Sequence, residues 1–87
     1  MPSAGMGSGM ARQYRIAREH TLGMEDLWTL VFDNKTNRWV VEHSWNYRET
    51  RSRGTTRKTL EDFEKTNAGQ RLAAELHTAV MKAQNDA

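Results

Sequence analysis

Apolar and polar side chains alternate in two neighbouring stretches of the chain, on either side of a polar segment at residues 33–37. A period of two is typical of β-strands, because successive side chains point to opposite faces of a pleated sheet. The alternation therefore predicts a β-hairpin over residues 27–47, one face of which is aromatic and apolar. The alternate positions on that face are Trp28, Leu30, Phe32, Trp39, Val41, His43, Trp45 and Tyr47.

The polar segment between the two strands also predicts their register. Asp33 begins it and Asn37 ends it, which suits a four-residue loop built on a type I turn with Asn37 in the left-handed conformation. A slip of one residue would move the aromatic side chains to the opposite face, so the register is strongly constrained. The predicted cross-strand pairs are Phe32 with Trp39, Leu30 with Val41 and Trp28 with His43.

Weaker patterns cover the rest of the N-terminal half. Residues 13–18 predict a short strand with Tyr14 and Ile16 on one face and Ala17 on the other. Residues 19–26 contain Gly23 and acidic side chains, which predicts a loop. Residues 48–58 contain no apolar side chain, which predicts an exposed basic loop with Gly54 as its hinge.

Helical spacing begins after this basic segment. Thr59 is a predicted N-cap, because its hydroxyl can accept the amide N–H of Asp62. Asn67 and Gln70 resemble a capping box that starts a second helix. Together these signals predict helices over residues 59–66 and 68–84.

The predicted fold class is α+β, a three-stranded antiparallel β-meander packed on one face by one or two C-terminal α-helices. Residues 1–10, rich in Gly, Met and Ser, form a predicted disordered tail. Residues 11–87 form a single small domain with the sheet at 13–47, the basic loop at 48–58 and the helices at 59–84. A chain of 87 residues without cysteine has a small core and no disulfide, which favours self-association or a stabilising partner.

Several classes of function are disfavoured by what the chain contains. No apolar run approaches the roughly 20 residues that span a bilayer, and no signal peptide is visible, so we expect a cytoplasmic protein without a membrane partner. The three histidines have no spacing typical of a metal site, and no nucleophile or phosphate-binding motif occurs. We therefore expect no enzymatic activity, no catalytic residues, no metal and no cofactor.

The aromatic face has two interpretations. It is either the hydrophobic core or a platform on which nucleic-acid bases stack, and the core is favoured because no other face is apolar enough to bury. Trp45 and Tyr47 are assigned to this core with the other aromatics. They lie at the end of the strand beside the basic segment, so they are the candidates if any aromatic is exposed for stacking.

Charge provides the leading functional hypothesis. The net charge is +2, and the charged residues are unevenly distributed along the chain. Residues 11–58 hold ten of the Lys and Arg residues and only six of the Asp and Glu residues. Arginine side chains interleaved with hydroxyls are common donors to phosphate oxygens, so the expected partner is DNA or RNA. The predicted nucleic-acid-binding residues, from the basic loop and the polar sheet face, are Arg15, Arg38, Arg48, Arg51, Arg53, Arg57 and Lys58.

The alternative is a protein-interaction or homodimerisation module. The predicted register pairs Val31 with Val40 on the outward face, next to Leu27, where a solvated sheet is usually polar. The edge of the first strand offers a second route, because its unpaired backbone groups can recruit another strand.

Overall fold

Four antiparallel strands and three helices make up the fold in the computed structural model, which describes residues 13–86. The strands form one sheet in the order β1-β2-β3-β4, so each strand pairs with its neighbour in the sequence. The predicted tail at residues 1–10 lies outside the described residues. The strands are β1 (Gln13–Thr21), β2 (Met24–Asp33), β3 (Arg38–Tyr47) and β4 (Ser52–Thr59), and the helices are α1 (Leu60–Glu64), α2 (Asn67–Arg71) and α3 (Ala73–Asp86).

The central hairpin, β2 with β3, has the predicted register. Asn37 adopts a positive φ of 60°, and its N–H donates to the carbonyl oxygen of Asp33 at 2.7 Å. The Asp33 carboxylate also accepts the N–H of Lys35 at 2.8 Å, which stabilises the start of the loop. The observed pairs include Phe32 with Trp39, Leu30 with Val41 and Trp28 with His43, so the prediction is confirmed.

The sheet has four strands rather than the three that the sequence predicted. The predicted basic loop at residues 48–58 is a four-residue turn followed by β4, which pairs with β3 along its whole length. Edge strands with both faces in water need no apolar stripe, so the alternation that reveals a half-buried strand is absent here. Gly54 is a strand residue and not the hinge that the sequence predicted, and its conformation is extended within β4.

The first hairpin is longer than predicted. β1 continues to Thr21 and β2 begins at Met24, so most of the predicted loop at residues 19–26 is strand. The two strands are joined by Leu22 and Gly23, whose φ values of 47° and 79° are both positive, as in a type I′ turn. Leu22 carries a side chain that disfavours this conformation, which explains why the sequence did not predict the turn.

A β-bulge interrupts the pairing of β1 with β2 between Arg15 and Ala17. A bulge inserts one extra residue, so the side chains beyond it change faces. Ala17 therefore packs against the core together with Ile16, and the prediction that it points to the opposite face is wrong. Arg18, the next residue, therefore points to the face of the sheet opposite the core.

Short polar side chains define where the helices begin. The Thr59 hydroxyl accepts the N–H of Asp62 at 3.1 Å, as predicted. The second cap is Thr66 and not Asn67, because the Thr66 hydroxyl accepts the N–H of Gly69 at 2.9 Å. The predicted second helix is also divided, since α2 ends at Arg71 and α3 begins at Ala73.

The hydrophobic core lies between the helices and one face of β1, β2 and β3. The buried side chains of this core are Ile16, Trp28, Leu30, Val41, Phe63, Leu72, Leu76, Ala79 and Ala83. Trp39 is half-buried against this cluster and packs edge-on to Phe32, with 5.3 Å between the ring centroids. Trp45 and Tyr47, which the sequence assigned to the core, lie outside it and are only partly buried.

Candidate nucleic-acid interface

The face of the sheet that points away from the helices, which we call the outer face, collects five exposed arginine side chains. They are Arg15, Arg18, Arg38, Arg53 and Arg57. Four of them belong to the set predicted from the sequence. Two of these four, Arg53 and Arg57, were predicted to lie in a loop but belong to strand β4. Arg18 was missed, because only the bulge in β1 turns it to this face and no sequence pattern marks that bulge.

Two of these arginines form ion pairs across neighbouring strands. Arg18 contacts Glu25 at 2.5 Å, and Arg57 contacts Glu42 at 3.0 Å. Exposed pairs of this kind contribute about 0–1 kcal/mol, so exchanging the carboxylate for a phosphate costs little. Among residues 13–86, Arg15, Arg38 and Arg53 form no ion pair.

The arginines lie mainly along the two edges of the sheet. Arg15 of β1 and Arg57 of β4 belong to one cross-strand row, with Thr29 and Glu42 between them. Strands are spaced by about 4.8 Å, so the backbones of the two edge strands lie about 14 Å apart. The outer face thus has arginines along both edges and a mixed centre, in which Glu25 and Glu42 lie among neutral polar and apolar residues.

A shallow hollow of ≈ 450 Å³ lies at one end of the outer face, with Arg38 and Arg57 among its lining residues. Asp33 also lines it. A hydrogen bond from the backbone N–H of Lys35 is the main reason that the pKa of Asp33 lies below its ordinary value. The carboxylate of Asp33 therefore lies in the same hollow as Arg38 and Arg57. An anionic partner bound there by the two arginines is also repelled by this carboxylate.

The remaining predicted nucleic-acid-binding residues lie elsewhere. Arg48 and Arg51 belong to the turn between β3 and β4, and Arg51 adopts a positive φ of 55°. Lys58 pairs with Val41, whose side chain is in the core, so strand alternation directs Lys58 to the helix-packed side. The structure therefore brings together part of the predicted site and leaves Lys58 on the opposite face.

The predicted protein-interface residues are on the outer face, but they expose little surface. Val31 and Val40 are paired across β2 and β3 and are only 5% and 7% exposed. Leu27 lies on the same face of β2, four residues before Val31, and is half-buried. The apolar surface that these three residues offer to a partner is small.

A polar network lies on the other side of the sheet, beyond the edge of the hydrophobic core. The same oxygen of Asp26 is 2.7 Å from Nε2 of His43 and accepts the hydroxyl of Tyr47 at 2.6 Å. The hydrogen bond to Asp26 is the main cause of the raised pKa of Tyr47. His43 stacks on Trp28 with 4.7 Å between the ring centroids, so the network fixes the orientation of the aromatic side chains at this end of β3.

Arg71 of α2 packs against the aromatic side chain of Trp28 from the side of the helices. Its guanidinium lies 5.7 Å from the ring centroid of Trp28 and forms an ion pair with Glu19 of β1. The hydrogen bond to Glu19 is the main cause of the raised pKa of Arg71. The sequence did not predict this network, because Glu19 and Asp26 lie in the segment that was predicted to be a loop.

The Trp45 side chain occupies the space beside Gly54 of β4 that a larger residue would need. A Cβ atom at Gly54 would lie 2.6 Å from Cζ2 and 2.9 Å from Cη2 of Trp45. The indole Nε1 donates to the hydroxyl of Ser52 at 3.3 Å. The indole thus reaches from β3 across β4, and its six-membered ring lies over Gly54.

Two apolar side chains are exposed at the tip of the first hairpin. Leu22 is 85% exposed and Met24 is 45% exposed. The N–H of Arg48, in the neighbouring turn, donates to the carbonyl oxygen of Gly23 at 3.0 Å. The two turns are therefore adjacent at the same end of the sheet.

Fold and site together define a small α+β protein with a four-stranded antiparallel sheet, one face of which is covered by C-terminal helices. Comparisons with known proteins found no match, whether to a family model, a curated protein or a solved structure. Among the described residues, no helix is long and apolar enough to cross a membrane. No group of three or more His, Cys, Asp or Glu side chains within residues 13–86 is arranged to hold a metal ion.

Proposed function

We propose that this protein is a non-enzymatic nucleic-acid-binding module that contacts phosphates through the arginines of the outer face. The observation that carries this proposal is the convergence of arginines from β1, β3 and β4 on one open sheet surface. Guanidinium groups donate paired hydrogen bonds to phosphate oxygens, and phosphate contacts supply most of the sequence-independent affinity for nucleic acid.

The distribution of charge over the fold supports the same function. The helical segment after Thr59 holds five of the acidic residues and only three of the basic ones. The helices pack on the side of the sheet opposite the outer face, so an approaching polyanion meets the arginines and is repelled by the helical side. Thr29, Ser44 and Asn46 at the centre of the outer face supply neutral polar groups between the cationic edges.

The test is fluorescence anisotropy of a labelled random DNA duplex at about 50 and 200 mM salt, since each phosphate contact steepens the salt dependence. The double variant Arg15→Ala/Arg53→Ala removes two outer-face cations and should lower the slope of log K against log salt by about 2. The matched control is Lys65→Ala/Lys82→Ala, which removes two exposed cations from the helical side and should leave the slope unchanged. Equal effects of both double variants, or no binding at the lower salt, would exclude the outer face as a duplex-binding surface.

A second candidate function, protein interaction, is favoured by one observation. Leu22 is an exposed apolar residue in a conformation that disfavours its side chain, and such strain is found where a residue serves a function. Analytical ultracentrifugation of the full chain and of its Leu22→Asn variant tests self-association through this tip. A monomer at high concentration counts against a homodimer.

A further inference from the structure

The outer edge of β4 is the most accessible strand edge of the fold. β4 ends the sheet, and within residues 13–86 no backbone hydrogen bond reaches it except from β3. All of its residues except Gly54 are exposed, and it contains neither proline nor a bulge. Unpaired strand edges of this kind are templates on which another extended segment can form hydrogen bonds.

The opposite edge of the sheet is less suited to this role. β1 contains the bulge between Arg15 and Ala17, which interrupts the regular spacing of its backbone groups. Helix α3 packs along β1, and the hydroxyl of Tyr14 donates to the Asp86 carboxylate at 2.9 Å. β4 is therefore the edge at which an added strand meets the least obstruction.

The charge of β4 indicates which kind of segment fits. Its eight residues include Arg53, Arg57 and Lys58 and no acidic residue. Two copies of β4 side by side would place cations near cations in every register, so pairing with a second copy is disfavoured. The segment at residues 1–12 contains no acidic residue either, so it offers no complementary charge.

We propose that β4 binds an acidic, extended segment of another protein by adding it as a fifth antiparallel strand. Backbone hydrogen bonds along Arg53 to Lys58 supply affinity, and carboxylates opposite the cations supply specificity. This inference differs from the proposed nucleic-acid function because it requires the backbone edge of β4, although both use the side chains of Arg53 and Arg57.

The side chains of β4 specify the sequence pattern of the partner. In an antiparallel arrangement, acidic residues opposite Lys58, Arg57 and Arg53 occupy the first, second and sixth positions of a six-residue segment. The fifth position lies opposite Gly54, on the side where the six-membered ring of Trp45 covers the glycine. An apolar side chain there packs against the indole, since cross-strand neighbours lie about 4.5–5.5 Å apart.

A fluorescein-labelled six-residue peptide with acids at those three positions, threonine at the third and fourth and leucine at the fifth is the probe. We expect it to bind the full chain more tightly than a scrambled peptide of the same composition. Arg53→Ala should weaken binding about two- to fivefold, the typical effect of one exposed cross-strand pair. Arg15→Ala is the matched control, because it removes an exposed arginine of the outer face from the other edge of the sheet.

Backbone pairing is tested separately with two N-methylated forms of the peptide. Strand addition requires that methylation of the alternate amides facing β4 abolishes binding, while methylation of the other amides is tolerated. Bound peptide should also slow hydrogen exchange in β4. Equal tolerance of both methylated forms, or equal weakening by Arg15→Ala and Arg53→Ala, would show charge attraction without strand addition and overturn the inference.

The peptide and duplex assays together separate this inference from the proposed nucleic-acid function. Failure of the peptide with retained duplex binding rejects strand addition alone, and the reverse result rejects nucleic-acid binding alone. Concentration-dependent protection of β4 without peptide would identify a second copy as the occupant and also overturn the inference.

Discussion

The substitution Gly69→Ala distinguishes local helix propensity from tertiary packing, because the two predict opposite signs. Gly69 is buried in the short helix α2. Alanine is favoured over glycine inside a helix by about 1 kcal/mol, so propensity alone predicts a gain in stability. A Cβ atom at Gly69, however, would lie 1.8 Å from the carbonyl oxygen and 2.6 Å from the carbonyl carbon of Phe63.

The magnitude follows from what would have to move. A carbon and a carbonyl oxygen normally approach to about 3.3 Å, so the backbones of α1 and α2 must separate by more than an ångström. The same carbonyl accepts the hydroxyl of Thr66 at 2.6 Å, and that hydroxyl accepts the N–H of Gly69 at 2.9 Å, so the shift also disturbs the cap. Overpacking typically costs about 1–3 kcal/mol, and a clash between backbone atoms belongs at the upper end.

After the propensity gain is subtracted, we expect Gly69→Ala to lower the free energy of unfolding by about 2 kcal/mol. A domain of this size has a total stability of roughly 4–11 kcal/mol, and the melting temperature should fall by about 8–16 °C. Urea and thermal unfolding followed by tryptophan fluorescence measure both quantities. Gln70→Ala, at the exposed neighbouring position, is the control and should change stability by less than about 0.5 kcal/mol.

A Gly69→Ala variant as stable as the parent, or more stable, would refute the reasoning. It would mean that the junction between α1 and α2 adapts without cost, and that the close approach to Phe63 does not constrain the fold.

Two further predictions concern the first hairpin and the polar network. Leu22→Asn should raise the free energy of unfolding by about 1 kcal/mol, because a non-glycine side chain in the left-handed region costs about 1–2 kcal/mol and Asn-Gly is the preferred type I′ pair. Leu22 is 85% exposed and loses little packing, so an unchanged urea midpoint would contradict this expectation. Asp26→Asn should lower the pKa of Tyr47 toward its ordinary value of about 10, measured by NMR titration of the ring, whereas an unchanged pKa would show that Asp26 does not cause the shift. Because the folded state raises this pKa, the stabilisation by the protonated Tyr47 is present below about pH 10 and is lost as the pH rises through the folded pKa.

The candidate site was predicted from the sequence only in part. Arg15 and Arg38 could be assigned to the outer face because alternation within β1 and β3 is a local property. Arg53 and Arg57 were predicted as loop residues, and their placement on the same face depends on β4 pairing with β3. Arg18 reaches the outer face only because the bulge changes the phase of β1.

The sequence by itself determined those elements in which neighbouring residues carry the whole signal. The β2–β3 register followed from the loop between Asp33 and Asn37 and from one aromatic face, and Thr59 was recognisable as a cap. Each of these depends on contacts within a few residues or across one turn, where side-chain type and spacing dictate geometry.

Only the tertiary structure decided the fourth strand, the Asp26 network and the division of the helical segment. β4 has no apolar stripe, because both of its faces are in water, and its conformation is stabilised by the backbone of β3. Asp26, His43 and Tyr47 come together only through strand pairing, and Gly69 is required by the close approach of Phe63. These features arise from groups distant in the chain or from a steric limit between two helices, and neither leaves a periodic signal in the sequence.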